Sequence, residues 1–135
     1  MKIAFIGGGV MARAIIAGVK DAGIDADIIV GEPLEIQRET LHNDLKVETT
    51  PSNKDAVSGA DIVVISIKPQ QLDAIQAELK SSLSAAQTVM SIMAGVKMHT
   101  IGLKLEHKKL IRVMPNTPAQ IRKGISAWTA SEDVD

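Results

Sequence analysis

Three consecutive glycines near the start of the chain have the type and spacing to bind a phosphate. Gly7, Gly9 and Ala12 form the pattern G-x-G-x-x-A directly after the apolar residues 3–6. Gly7 permits a tight turn, Gly9 lets the backbone approach a pyrophosphate closely, and Ala12 lets the next helix pack against the strand. The start of that helix would point its free N–H groups at the anion. The pattern predicts a dinucleotide site, although a glycine turn without a ligand is the alternative.

An acidic side chain stands at a second position where a dinucleotide could be recognised. Glu32 follows Gly7 by 25 positions, close to the spacing of about 20 expected for a carboxylate that accepts hydrogen bonds from the adenosine ribose. Such a carboxylate would repel the 2′-phosphate of NADP, so it favours NAD. Arg38 could supply an opposing charge, but Glu35 and Glu39 flank it. The alternative is that Glu32 is simply solvated.

Two further segments combine polar residues with turn-forming ones. Lys68 follows an apolar run and could contact a phosphate or orient the nicotinamide, although a solvent-exposed lysine is equally compatible. Pro115 and Pro118 enclose Asn116 and Thr117, which makes a stiff loop with polar groups in a defined geometry. Such a loop suits a binding site, and an ordinary proline turn is the alternative.

Apolar segments alternate with helical patterns, and these elements must position the residues above. The predicted strands are 3–6, 26–30, 45–49, 61–67, 88–93, 109–114 and 124–129. The predicted helices are 10–22, 34–43, 53–58, 70–83 and 98–105. Repeated βα units predict one α/β domain over residues 1–135, a Rossmann-type, doubly wound and mainly parallel sheet with helices on both faces. Ligands of such sheets bind outside the carboxyl ends of the strands.

Composition argues against several other classes. The 135 residues carry a net charge of −1 and include one Phe, one Trp and no Tyr, so we expect no nucleic-acid partner. Without cysteine, and with three widely spaced histidines, we expect no metal site and a cytoplasmic location. The glycines and Arg13 interrupt what could have been a signal peptide. No apolar run approaches the roughly 20 residues of a membrane helix, so we expect no membrane partner.

Four segments together resemble a known family. They are Gly7-Gly8-Gly9-x-Met11-Ala12, Ile67-Lys68-Pro69-Gln70, Ser91-Ile92-Met93-Ala94-Gly95-Val96 and Arg112-Val113-Met114-Pro115-Asn116-Thr117-Pro118-Ala119. In this order they are similar to the pyrroline-5-carboxylate reductases, and the similarity covers essentially the whole chain. The Met-Pro-Asn-Thr-Pro and Ala-Gly-Val segments are rather specific to that family, whereas the glycine pattern alone is not.

The resemblance implies a hydride transfer from NADP or NAD to the C=N carbon of pyrroline-5-carboxylate, which forms proline. By the same resemblance the cofactor-binding residues are Gly7, Gly9, Val10 and Met11 at the pyrophosphate, Asn53 at the adenosine ribose, and Ile67, Lys68, Pro69, Ala94 and Gly95 toward the nicotinamide. Lys68, Asn116 and Thr117 are the candidates that line the nicotinamide and substrate end. No catalytic acid or base is assigned, because hydride transfer to a protonated iminium needs no strong base here.

In that family a helical domain of comparable size follows, with the dimer interface and the loop that holds the substrate carboxylate. The resemblance implies that this C-terminal domain is absent from a chain that stops at Asp135. We therefore expect cofactor binding with negligible turnover, and a homo-oligomer only with the missing domain. The alternatives are another imine or 3-hydroxyacid oxidoreductase, including a deazaflavin-linked reductase, and a non-catalytic dinucleotide sensor. A natural reading frame ending at Asp135 would favour the sensor.

Overall fold

A single sheet organises the computed structural model, which describes residues 1–115, 124 and 126–135. Its strands are β1 (Lys2–Ile6), β2 (Asp27–Gly31), β3 (Glu48–Thr50), β4 (Ile62–Ile65), β5 (Thr88–Ser91), β6 (Leu110–Met114) and β7 (Ala127–Ala130). The order across the sheet is β3-β2-β1-β4-β5-β6-β7. All neighbours are parallel except β6 and β7, which are antiparallel. The predicted Rossmann-type fold is confirmed.

Helices cover both faces of this sheet. They are α1 (Val10–Asp21), α2 (Glu35–Leu45), α3 (Asn53–Val57), α4 (Leu72–Ser82) and α5 (Met98–Leu105). Ile3 and Phe5 of β1 pack in one core with residues of α1 and α2. Ala4 and Ile6 pack in a second core with residues of α3, α4 and α5. Since side chains alternate across a strand, the continuous apolar run of β1 supplies both cores.

Helix α1 ends as its sequence predicts. Gly23 adopts a left-handed φ of +69°. Its N–H donates to the Lys20 carbonyl, and the Ile24 N–H donates to the Val19 carbonyl. This pair of bonds is the Schellman motif, which satisfies carbonyls at a helix end and favours glycine after the cap. Helix α1 therefore ends just before this glycine, and the chain then turns back toward the start of β2.

Several predicted bounds differ from the observed ones, and two of these differences have a clear physical cause. The third strand was expected over 45–49, but Leu45 ends α2 and Lys46 takes a left-handed φ of +53°, so β3 starts only at Glu48. No glycine marks this helix end in the sequence. The helix expected over 70–83 is divided into a 3₁₀ turn over Pro69–Gln71 and α4, because Pro69 starts a tight turn of its own.

The described helices were also compared with the length and hydropathy that a membrane crossing requires. Within residues 1–115, 124 and 126–135, none is long and apolar enough to cross a membrane.

Candidate functional site

A cleft of about 560 Å³ opens at the carboxyl ends of the central strands. It lies where the strand order turns from β1 toward β2 on one side and toward β4 on the other. In open α/β sheets this reversal of strand order is where ligands bind. The lining residues are Ile6, Gly7, Gly8, Gly9, Gly31, Glu32, Pro33, Leu34, Gln37, Pro51, Asn53, Ser66, Ile67, Lys68, Gln71 and Ile75.

The first two glycines of the turn are required by close packing. Gly7 has a φ of +95°, and a Cβ built on it would lie 2.9 Å from the Ser66 carbonyl oxygen. A Cβ on Gly8 would lie 2.5 Å from Cδ1 of Leu41 in α2. The Ser66 hydroxyl lies 2.8 Å from the Gly7 carbonyl and 2.9 Å from the Ile6 carbonyl. The glycine turn is therefore closely packed between the segment that follows β4 and helix α2.

The third glycine differs from the other two, since a Cβ on Gly9 would meet no atom within 4 Å. Gly9 is the N-cap of α1, where its carbonyl accepts the Arg13 N–H and no side chain caps the helix. The N–H groups of the first helical turn have no intrahelical partner, and that turn contains no acidic residue. Open space, free donors and a positive helix end together suit a pyrophosphate. A dinucleotide therefore fits the residues present here.

Glu32 is turned inward at the end of β2 and is only 7% exposed. Its Oε2 accepts the N–H of Gly8 at 3.0 Å, and its Oε1 accepts the N–H of Leu34 at 3.1 Å. The alternative of a solvated Glu32 is therefore wrong. The carboxylate lines the cleft while it links the glycine turn to the loop after β2.

Arg38 stabilises the same loop from α2. Its Nη1 donates to the carbonyls of Glu32, at 2.9 Å, and Pro33, at 2.8 Å. A guanidinium Nη carries two hydrogens, so both donors of Nη1 are used by the backbone. The side chain supports the shape of the loop that presents Glu32.

Asn53 forms a third side of the cleft. It is the first residue of α3 and lines the cleft. Its Nδ2 donates to Glu78 Oε2 of α4 at 3.4 Å. A Cβ on Gly31 would lie 2.8 Å from Asn53 Oδ1, so the glycine at the end of β2 lets α3 approach this closely.

The opposite side of the cleft is formed by the segment after β4. Ile67 and Lys68 line it, and the Lys68 N–H donates to Gln71 Oε1 at 3.0 Å. Lys68 is exposed. This agrees with the interpretation of Lys68 as a solvent-exposed lysine, and it also leaves the ammonium group accessible to an anion.

The structure thus brings Gly7, Gly9, Glu32, Asn53, Ile67 and Lys68 together around one cleft. The other predicted residues among those described lie beside it. Val10 and Met11 form the first turn of α1, Ala12 is buried against the sheet, Pro69 is exposed in the 3₁₀ turn, and Ala94 and Gly95 follow β5. The predicted Asn116 and Thr117 lie outside the described residues.

Sequence reasoning missed several residues that line the cleft. Gly8 is the most important of these, although it occupies a variable position of the glycine pattern. Its N–H donates to Glu32, and Leu41 packs so closely against it that a Cβ would not fit. The run of three glycines was the available signal. Leu34, Gln37 and Pro51 carried no such signal, since only the folded loops place them here.

A second cleft, of about 540 Å³, lies at the other end of the strands near Asp61, where β4 begins. Its lining includes Lys54, Ser58 and Gln87, and Gln87 Nε2 is already bonded to the carbonyls of Val57 and Ala60. Open α/β sheets bind their ligands outside the carboxyl ends of the strands, and this second cleft lies at the opposite edge. The carboxyl-end cleft is therefore the better candidate for a dinucleotide.

The known proteins that match this chain in sequence and structure include oxidoreductases. Residues 2–95 match the family described as "NADP oxidoreductase coenzyme F420-dependent". The chain is 36% identical to a pyrroline-5-carboxylate reductase of Pseudomonas aeruginosa over 135 residues, 98% of this chain and 50% of that protein. It is 40% identical to that of Vibrio alginolyticus over 131 residues, 96% of this chain and 48% of that protein.

A solved structure named as a pyrroline-5-carboxylate reductase from Coxiella burnetii has a TM-score of 0.93 at 36% identity, covering 98% of this chain and 50% of that chain. The chain spans about half the length of the curated relatives it matches. The resemblance predicted from the sequence is confirmed. Over nearly all its length, the chain is similar to about half the length of each of these pyrroline-5-carboxylate reductases. The chain belongs to the family described as "NADP oxidoreductase coenzyme F420-dependent".

Proposed function

We propose that this chain is the cofactor-binding domain of an oxidoreductase that reduces pyrroline-5-carboxylate to proline with NADPH or NADH. The observation that carries the proposal is the cleft in which open space above Gly9 adjoins the uncapped start of α1. The relatives at 36% and 40% identity support the choice of substrate.

The cofactor, when bound, supplies a hydride for the imine carbon. The new C–H bond forms there while the C=N π electrons move to the ring nitrogen, which already carries a proton in the iminium. This chain's residues bind and orient. The N–H groups of Val10, Met11 and Ala12 at the start of α1 would hold the pyrophosphate, and Asn53 would contact the adenosine ribose. Positioning of this kind, with exclusion of water, is what the protein adds to cofactor chemistry.

The nicotinamide end would extend past β4 toward β5. Ile67, Lys68 and Pro69 follow β4, and Ala94 and Gly95 follow β5, so both segments belong to the edge where the cleft opens. We propose Lys68, Asn116 and Thr117 as the residues nearest the substrate.

The substrate carboxylate and a dimer contact would be provided by a C-terminal helical domain like that of the resembled family. The coverage of about half the length of the curated relatives supports this proposal. We propose a homo-oligomer built through that domain and a cytoplasmic location, the latter because the chain has no cysteine.

Isothermal titration of this chain with NADH and NADPH tests the proposal. We expect at least one of them to bind, together with negligible reduction of pyrroline-5-carboxylate by this chain alone. Binding of neither dinucleotide would contradict the cofactor assignment. Robust turnover by the 135-residue chain would contradict the division of labour between two domains.

A second candidate follows from the description of the matching family over residues 2–95. In this candidate the hydride moves between NADP and the deazaflavin coenzyme F420, and the same cleft binds the dinucleotide. Assays of the natural full-length protein with pyrroline-5-carboxylate and with coenzyme F420 separate the two candidates.

A further inference from the structure

We propose that the inward-turned Glu32 makes this domain select NADH over NADPH. The inference rests on the proposed function, because it concerns which of two dinucleotides the same cleft prefers. It also distinguishes this chain from what the family description, with NADP in its name, would suggest.

The first step is the position of the Glu32 carboxylate. It lines the cleft at the end of β2, beside the glycine turn that would hold the pyrophosphate. In a dinucleotide-binding sheet, the acidic residue after the second strand faces the hydroxyls of the adenosine ribose. The 2′-phosphate of NADPH would therefore be brought to this carboxylate.

The second step is chemical complementarity. A carboxylate only accepts hydrogen bonds, and its two oxygens offer about four acceptor sites. The N–H groups of Gly8 and Leu34 use two of them, so others remain for the two ribose hydroxyls of NADH. A phosphate at physiological pH offers acceptor oxygens and negative charge, so it would lose the hydroxyl contact and add repulsion.

The third step is that Glu32 cannot easily turn away. Its Oε2 is the partner of the buried N–H of Gly8, at 3.0 Å. Moving the side chain would leave that donor unsatisfied, which is costly for a buried backbone group. A Cβ on Gly8 would lie 2.5 Å from Leu41 Cδ1 and 3.5 Å from Glu32 Oε2, so the turn has little room to move toward α2 to find another partner. An exposed glutamate could swing into solvent, whereas this one is held.

The opposing charge is Arg38, and its geometry favours support of the loop. Both hydrogens of its Nη1 are used by the carbonyls of Glu32 and Pro33. Glu35 and Glu39 flank it on α2, and both are exposed. Arg38 thus supports the loop that presents the acid, and it is not among the residues that line the cleft.

The test compares NADH with NADPH, and 5′-AMP with adenosine 2′,5′-bisphosphate, by calorimetric titration of the wild-type chain. The two smaller probes differ only in the 2′-phosphate. We expect the ligand without the 2′-phosphate to bind more tightly by about tenfold or more in each pair. A smaller preference, or one for the phosphorylated ligand, overturns the inference. Binding of neither dinucleotide would instead refute the proposed function.

The Glu32→Gln variant attributes the preference to this side chain. Its amide removes the charge and offers a donor to a phosphate, so the preference for NADH should fall by about tenfold. Glu39→Gln is the matched control, since it removes the same charge from an exposed position on α2 and should leave the preference unchanged. Equal preferences in wild type and Glu32→Gln overturn the inference. If circular dichroism shows Glu32→Gln unfolded, the wild-type ratios decide alone.

Discussion

Adjacent glycines in the phosphate turn have different tasks, which alanine substitutions can separate. A Cβ at Gly8 would lie 2.5 Å from Leu41 Cδ1, whereas one at Gly9 would enter open space. We expect Gly8→Ala to lower the free energy of unfolding by about 1–3 kcal/mol, because it overpacks a buried contact. Gly9→Ala should cost about 0.5–1 kcal/mol at the helix N-cap.

The same pair should separate in dinucleotide affinity. The methyl group that Gly9→Ala introduces would occupy the space that a pyrophosphate needs, so we expect this variant to bind NADH about tenfold more weakly. Urea unfolding and calorimetric titration measure the two effects. Unchanged affinity in a folded Gly9→Ala protein would mean that the pyrophosphate does not approach this residue.

The contacts of single residues also show which features of the site the sequence alone cannot predict. The spacing of Gly7 and Glu32 predicts that a carboxylate lies near the turn, and the structure agrees. The bond from Gly8 to Glu32 could not be predicted, because it depends on the register that pairs Ile6 with Gly31 and so sets the two loops side by side. The number of residues between two loops gives no information about which way the side chains of those loops point.

At the scale of elements, α1 offers a matched test of backbone conformation. Gly18 lies within the helix and Gly23 follows its end with a φ of +69°, and a Cβ at either would meet no atom within 4 Å. Gly18→Ala should raise the free energy of unfolding by up to about 1 kcal/mol through helix propensity. Gly23→Ala should lower it by about 1 kcal/mol, since alanine disfavours left-handed backbone.

Chemical denaturation of both variants measures these changes in opposite directions. Neither residue lines the dinucleotide cleft, so NADH affinity should remain that of the wild type. A stabilising Gly23→Ala would show that the helix does not end in the Schellman motif.

Elements were predictable where apolar patterning decides them. β1 and β4 were expected because continuous apolar runs suit strands covered on both faces, and α5 was expected over its observed range of 98–105. β3 was misplaced because tertiary contacts extend α2 to Leu45, which packs against the core. A left-handed Lys46 then ends the helix without a glycine to announce it.

At the scale of the whole molecule, the fold places Glu32 and Lys68 of the proposed site on two loops beside β1, and Asn53 of α3 lines the same cleft. One follows β2 and carries Glu32, and the other follows β4 and carries Lys68. The uncapped start of α1 lies between them. The strand order β2-β1-β4 creates this arrangement, so the cleft lies within a chain that spans about half the length of its curated relatives.

The central claim is that the cleft above Gly9 binds the dinucleotide, and a ¹H–¹⁵N NMR titration of the chain with NADH tests it most directly. We predict saturable shifts of the amide signals of residues 7–12 at the glycine turn, and of Gly31 and Glu32 at the end of β2. The signals of Ser58 and Asp61, at the cleft on the opposite edge of the sheet, should not move. Shifts centred on that opposite edge, or no saturable shift in the glycine turn, would contradict the account.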